Sequence, residues 1–198
     1  MKTGPYDPQI ANKSKYESVV ALGRQESDPV LNRSKIDVCL KDINGADFGA
    51  INTVYCSDLL RTKQTLEYLL DNKLISNNII IKYVKFLQEI KFDIESFCTP
   101  DEYAQHGSDA VRAGFVKSFI DDTLMEKRQE IKQRCDILLE IMEQEKNNDI
   151  LIISHTFFLK IFLIYFENRD LFQRPEIIRD FIDPRKRIMK FCEQTMFR

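Results

Sequence analysis

The chain has 198 residues, 43% of them hydrophobic, which is enough for one domain with a proper core. Its 29 Lys and Arg against 31 Asp and Glu leave a formal net charge of −2, so no global basic field directs it to nucleic acid or to an anionic membrane. Five cysteines, at positions 39, 56, 98, 135 and 192, are odd in number and form no C-x-x-C pair, which points away from a disulfide framework or a zinc site and towards reduced thiols in an intracellular, cytoplasmic setting.

Residues 1–16 are polar, carry Pro5 and Pro8, lack an apolar signal core and read as an irregular N-terminal arm. "ESVVAL" (17–22) reads as a buried strand that ends abruptly in Gly23, Arg24, Gln25, Glu26 and Ser27. "NRSKIDVCLKDI" (32–43) spaces Ile36, Cys39, Leu40 and Ile43 as a helix does, and Asn44-Gly45 stops it. "INTVYC" (51–56) predicts a strand, and "LLRTKQTLEYLLDN" (59–72) a helix with Leu59, Leu66, Leu69 and Leu70 on one side. "NIIIKYV" (78–84), β-branched and apolar, predicts another strand. From 93 to 117 the pattern weakens around Pro100, Gly107 and Gly114, which predicts a lid-like insertion of loop and short helical pieces.

The clearest helix is "TLMEKRQEIKQRCDILLEIMEQEK" (123–146), where Leu124, Ile131, Cys135, Leu138 and Met142 fall at helical spacing. "NNDILIIS" (147–154) is a fully apolar strand, and "HTFFLKIFLIYFE" (155–167) continues as a buried helix. His155 and Lys160 interrupt this longest apolar run, which a strand and a helix explain better than a membrane span. Residues 168–198 mix Phe and Ile with many charges and read as a C-terminal extension or edge; "DPRKRIMK" (183–190) within it reads as solvated surface. No repeat or linker divides the chain, so 1–198 reads as a single domain. Strands alternating with helices predict an α/β fold, a mostly parallel central sheet flanked by helices on both faces. Such sheets place ligands at the carboxyl ends of their strands.

Three of those ends share a chemical theme. Ser57 and Arg61 follow the 51–56 strand, Glu89 follows the 78–84 strand, and Ser154-His155 follows "DILII". Converging on one pocket, they suit a phosphate monoester or inorganic phosphate. Arginine grips phosphate oxygens bidentately, a helix N-terminus adds backbone donors, and a desolvated glutamic acid protonates a leaving oxygen. Each has an ordinary reading on its own: Arg61 as a surface helix residue, Glu89 as a solvated carboxylate, His155 as a satisfied core histidine.

Together the segments resemble the histidine phosphatase, or phosphoglycerate-mutase-like, superfamily. Its S-x-L-x-R-A-x-Q-T helix is matched in "SDLLRTKQT" by Ser57, Leu59, Arg61, Gln64 and Thr65, with Thr62 for the small residue. Its acidic segment resembles "LQEIKFDIES" in Leu87, Glu89, Ile90, Phe92 and Glu95, with Asp93 and Ser96 where the family has glycines. Its S-H-G strand end resembles "ILIISHT", with Thr156 for glycine; its D-x-P-L-T approach is echoed in "DPVLNRSK" (28–35), and Arg134 matches an arginine of the long helix. The resemblance covers roughly residues 17–165. It implies the fold above, Glu89 and His155 as residual catalytic groups, and Arg24, Ser57, Arg61 and His155 as phosphate-binding groups, with neither metal nor cofactor.

The family's nucleophile is the histidine of R-H-G at the end of the first strand, and here "ESVVALGRQES" stands in that place. One register puts Gly23, Arg24 and Gln25 on R-H-G; sliding by one puts Gln25 on the histidine. Arginine has no lone pair to attack with, and an amide nitrogen is not nucleophilic, although Arg24 can bind phosphate in either register. The other histidine, His106, falls in the lid-like segment. Cys56 and Arg61 enclose one residue fewer than a cysteine-phosphatase loop has, and "SDLL" lacks the glycines that turn amides towards an anion. The expectation is therefore an inactive or impaired pseudoenzyme that binds phosphorylated ligands or serves as a protein-assembly subunit. The alternative is an active phosphomonoesterase or mutase with an unorthodox nucleophile.

Overall fold

The structure is a computed structural model that describes residues 1, 6–7, 9–32, 36, 50–146 and 148–181. Three parallel strands, β1 (Thr53–Ser57), β2 (Ile80–Val84) and β3 (Ile150–Ile153), form a sheet of order β2-β1-β3. The register sets Cys56 beside Tyr83 on one side and Ile153 on the other. Because β1 is central, all five of its residues are buried. β2 is an edge among the described residues and leaves Ile80 and Tyr83 exposed.

Strand side chains alternate between the faces of a sheet, and here each face is covered. Val54, Cys56, Leu151 and Ile153 join Leu66 and Leu69 of α2 (Leu60–Asp71) in one core. Tyr55 and Ile152 join a larger core with Phe115 and Phe119 of α4 (Ser108–Ile120), Ile131 and Leu138 of α5 (Arg128–Gln144), and Phe158 and Phe162 of α6 (Thr156–Glu167). Among the described residues the chain also forms the α-helices α1 (Lys15–Gly23) and the short α3 (Pro100–His106). This is the α/β fold expected, with parallel strands and helices on both faces. The expected helix at 32–43, apart from Asn32 and Ile36, and residues 182–198 lie outside the described residues.

Two expectations need correction. The segment 17–22 is not a strand of the sheet but the body of α1. A four-residue apolar run carries no decisive period, and the deciding signal lies just before it. Ser14 accepts from the Glu17 amide at 3.1 Å while Glu17 accepts from the Ser14 amide at 2.7 Å, a reciprocal capping box. The other end closes as a Schellman motif, Glu26 N–H on Ala21 O at 2.8 Å and Gln25 N–H on Leu22 O at 3.1 Å, with Gln25 in the left-handed region at φ 59°. The lid-like insertion is likewise mostly helix, and Phe115 and Phe119 anchor it in the core.

The polar arm is fastened to the rest. The Met1 backbone donates to Ile152 O and accepts from Ser154 N–H, the pattern of a parallel pair on the side of β3 away from β1. Tyr6 forms an antiparallel bridge with Leu31.

Candidate functional site

Ser57 closes β1, and Arg61 lies in the first turn of α2, where its side chain is almost wholly buried. Its partner is Asp28. Arg61 Nη1 donates to Asp28 Oδ1 at 2.9 Å, and the Leu60 amide at the start of α2 donates to Asp28 Oδ2. The Tyr6 ring stands against the guanidinium, its centroid 5.4 Å from Cζ. Burial pushes the Tyr6 hydroxyl above its ordinary range; Arg61 opposes the shift, while Glu89 and Asp28 add to it. Three groups from distant parts of the chain thus act on the Tyr6 hydroxyl.

At the end of β3, Ser154 Oγ donates to Leu87 O at 2.6 Å, and His155 Nε2 lies 2.9 Å from Ser57 Oγ, the donor being set by the imidazole tautomer. Glu89 arrives from the chain after β2. Its carboxyl accepts from the amides of Phe157 (3.2 Å) and Phe158 (2.9 Å) at the N-terminus of α6. Burial nevertheless raises its pKa above the usual carboxylate range, against those hydrogen bonds and the Arg61 charge. Arg134 of α5 holds the approach to this residue. Its Nε donates to Phe86 O at 2.9 Å, Nη2 to Gln88 O and Nη1 to Glu126 at 2.5 Å, and its guanidinium lies 4.4 Å from the Phe158 ring centroid.

Of the residues predicted from sequence, Ser57, Arg61, Glu89 and His155 therefore meet at one end of the sheet. Arg24 turns elsewhere, to Asp93 at 2.7 Å and to Glu95. Gln25 reaches back through Nε2 to Glu89 O at 2.6 Å. His106 is exposed at the end of α3. The Cys56 thiol is buried and donates to Ser57 O, and burial pushes its pKa up to about 12, so it holds its proton at neutral pH. Among the described residues no three His, Cys, Asp or Glu side chains form a metal-holding group, and no helix is long and apolar enough to cross a membrane. Asp28 and Tyr6 are members to which sequence reasoning gave no role, and Gln25, which it placed on the family's histidine, instead meets the Glu89 backbone.

The strand ends of this α/β sheet thus gather an arginine, a serine–histidine pair and a desolvated glutamate. Residues 36–179 match the family model of the histidine phosphatase superfamily (branch 1), and the chain belongs to that superfamily. Among solved structures it resembles a phosphoglycerate mutase from Bacillus anthracis (15% identity, TM-score 0.53, covering 85% of this chain and 78% of that one). It also resembles a putative alpha-ribazole-5'-P phosphatase from Escherichia coli (15%, TM-score 0.50, 82% and 75%). A third is a phosphoserine phosphatase from Entamoeba histolytica, solved with 3-phosphoglyceric acid (16%, TM-score 0.50, 87% and 81%). At such identities the likeness is one of fold. No curated protein sequence matches the chain.

Proposed function

We propose that this chain binds a phosphate monoester or inorganic phosphate through Arg61, Ser57, His155 and the amide end of α2, with little or no turnover. The observation that supports this best is Asp28. A carboxylate already rests on the Leu60 amide and the Arg61 guanidinium, so that corner accepts an anion. A phosphate offers more charge and more oxygens to the same donors, and a protonated His155 adds another. Burial raises the Glu89 pKa, which suits its carboxyl to give a proton to a leaving oxygen.

What this sequence does not supply at the site is a nucleophilic histidine. Its two histidines are His106 and His155, and Gly23, Arg24 and Gln25 cap a helix. Covalent transfer by the family's route would need a second histidine beside Arg61 and His155, and the reading of little or no turnover rests on that. The second reading, a working phosphomonoesterase with an unorthodox nucleophile, rests on the 2.9 Å contact of Ser57 Oγ with His155 Nε2, a hydroxyl within reach of a base. Aryl phosphate hydrolysis by the parent protein, Ser57→Ala and His155→Ala separates the two. The binding reading expects rates near background in all three and calorimetric phosphate binding that is lost in Arg61→Ala. Turnover on the order of 1 to 10³ per second, abolished in Ser57→Ala, establishes the second reading instead.

A further inference from the structure

We infer that Asp28 is a built-in occupant of the anion site, and that a phosphorylated ligand enters by displacing its carboxylate from Arg61 and the start of α2. This rests on the anion-binding reading above and adds a competitor to it. The two Asp28 oxygens divide between the two donors an incoming anion would use, Arg61 Nη1 and the Leu60 N–H. Arg61 is 3% exposed at its side chain while Asp28 is 30% exposed. The buried cation is thus fixed, and its carboxylate partner stands at the solvent side.

The segment that carries Asp28 is held independently of that ion pair. Leu31 N–H donates to Gln64 Oε1 of α2 at 2.8 Å, and Leu31 pairs with Tyr6. Rotation of the Asp28 side chain therefore withdraws its carboxylate from Arg61 Nη1 and the Leu60 amide, with the backbone in place. Tyr6 stands against the guanidinium and closes the corner further. A carboxylate carries one charge and fills one donor from each oxygen, whereas a phosphate dianion carries nearly twice the charge and extends towards Ser57 and His155. The exchange favours phosphate monoesters over simple carboxylates. An occupant that holds a site nine-tenths of the time lowers the apparent affinity of its competitor about tenfold.

The test compares the parent protein with Asp28→Asn, which keeps an oxygen for the Leu60 amide, and with Asp28→Ala. Two readouts are taken: calorimetric titration with inorganic phosphate, and the rate at which phenylglyoxal labels Arg61, measured by peptide mass spectrometry relative to Arg134, so that general loosening cancels. The expected result is several-fold faster relative labelling of Arg61 in both variants and phosphate binding tightened about tenfold. Faster labelling with no phosphate binding in any protein upholds the occupancy and refutes the anion-binding reading. Labelling unchanged in both variants, with phosphate bound as in the parent, overturns the occupancy and leaves the anion-binding reading standing.

Discussion

Opposing effects meet at the Glu89 carboxyl. The amides at the start of α6 favour its ionised form, as does Arg61, but burial outweighs them and holds the proton longer. The sign of the consequence follows. A carboxyl whose folded pKa lies above its unfolded value binds more protons in the folded state between those two values, so its contribution is fully present below the unfolded pKa and is lost as pH rises through the folded one. Glu89→Gln cannot ionise, yet keeps an acceptor for the Phe158 amide. Chemical unfolding from about pH 4 to about pH 7 should show the variant gaining on the parent as pH rises. A difference that is constant, or that moves the other way, would mean an ordinary ionised carboxylate and would remove Glu89 as a proton donor. At this scale the sequence was partly readable. Ser57, Arg61, Glu89 and His155 stand at strand ends within local motifs. Asp28 lies 32 positions from the amide it meets, and no local pattern joins them.

Helix α1 shows why the next scale was harder to read. Val19 and Val20 favour a strand by propensity, and only the Ser14–Glu17 box and the docking of the far end make the segment a helix. That docking turns on Gly23. Phe92 N–H donates to Gly23 O at 3.1 Å, and a Cβ on Gly23 would stand 2.8 Å from Phe92 O and 3.1 Å from its ring. Alanine would gain up to about 1 kcal/mol in helix propensity, but the contact is with backbone that cannot swing aside. Overpacking of this kind costs about 1–3 kcal/mol, so Gly23→Ala should destabilise the protein on balance, and trimming Phe92 to Leu should not restore it because the carbonyl remains. A neutral or stabilising Gly23→Ala would show that α1 rides further from the site. The same contact makes Gly23, Arg24 and Gln25 a helix stop pressed against the segment that carries Glu89. The 93–117 segment was obscured differently. Gly114 reads as a helix breaker, yet it sits inside α4, where a Cβ would fall 2.0 Å from the Phe97 ring; the glycine makes room for an aromatic.

At the scale of the molecule, β1 and β3 were legible because buried parallel strands are short, continuous apolar runs, and β2, an exposed edge, because its residues are β-branched and aromatic. What such runs do not reveal is that β1 and β3 serve two cores at once. Tyr55 and Ile152 face the larger core; Val54, Cys56, Leu151 and Ile153 face the smaller. A strand cannot keep one face ordered while the other melts, since its backbone hydrogen bonds are common to both. The two cores should therefore unfold as one unit, as the single-domain reading expects. Leu66 belongs to the smaller core and Phe162 to the larger, and both are essentially fully buried. Leu66→Ala should cost about 2–5 kcal/mol and Phe162→Ala about 3–5 kcal/mol. Each should lower the same single transition, whether followed by helix content or by hydrogen exchange at α2 and α6 separately. The result that would break this picture is Leu66→Ala opening α2 at low denaturant while α4 and α6 stay protected. The α2 layer would then be a separate cooperative unit able to move Arg61 relative to Ser57, Glu89 and His155, and the anion site would be assembled from two bodies instead of one.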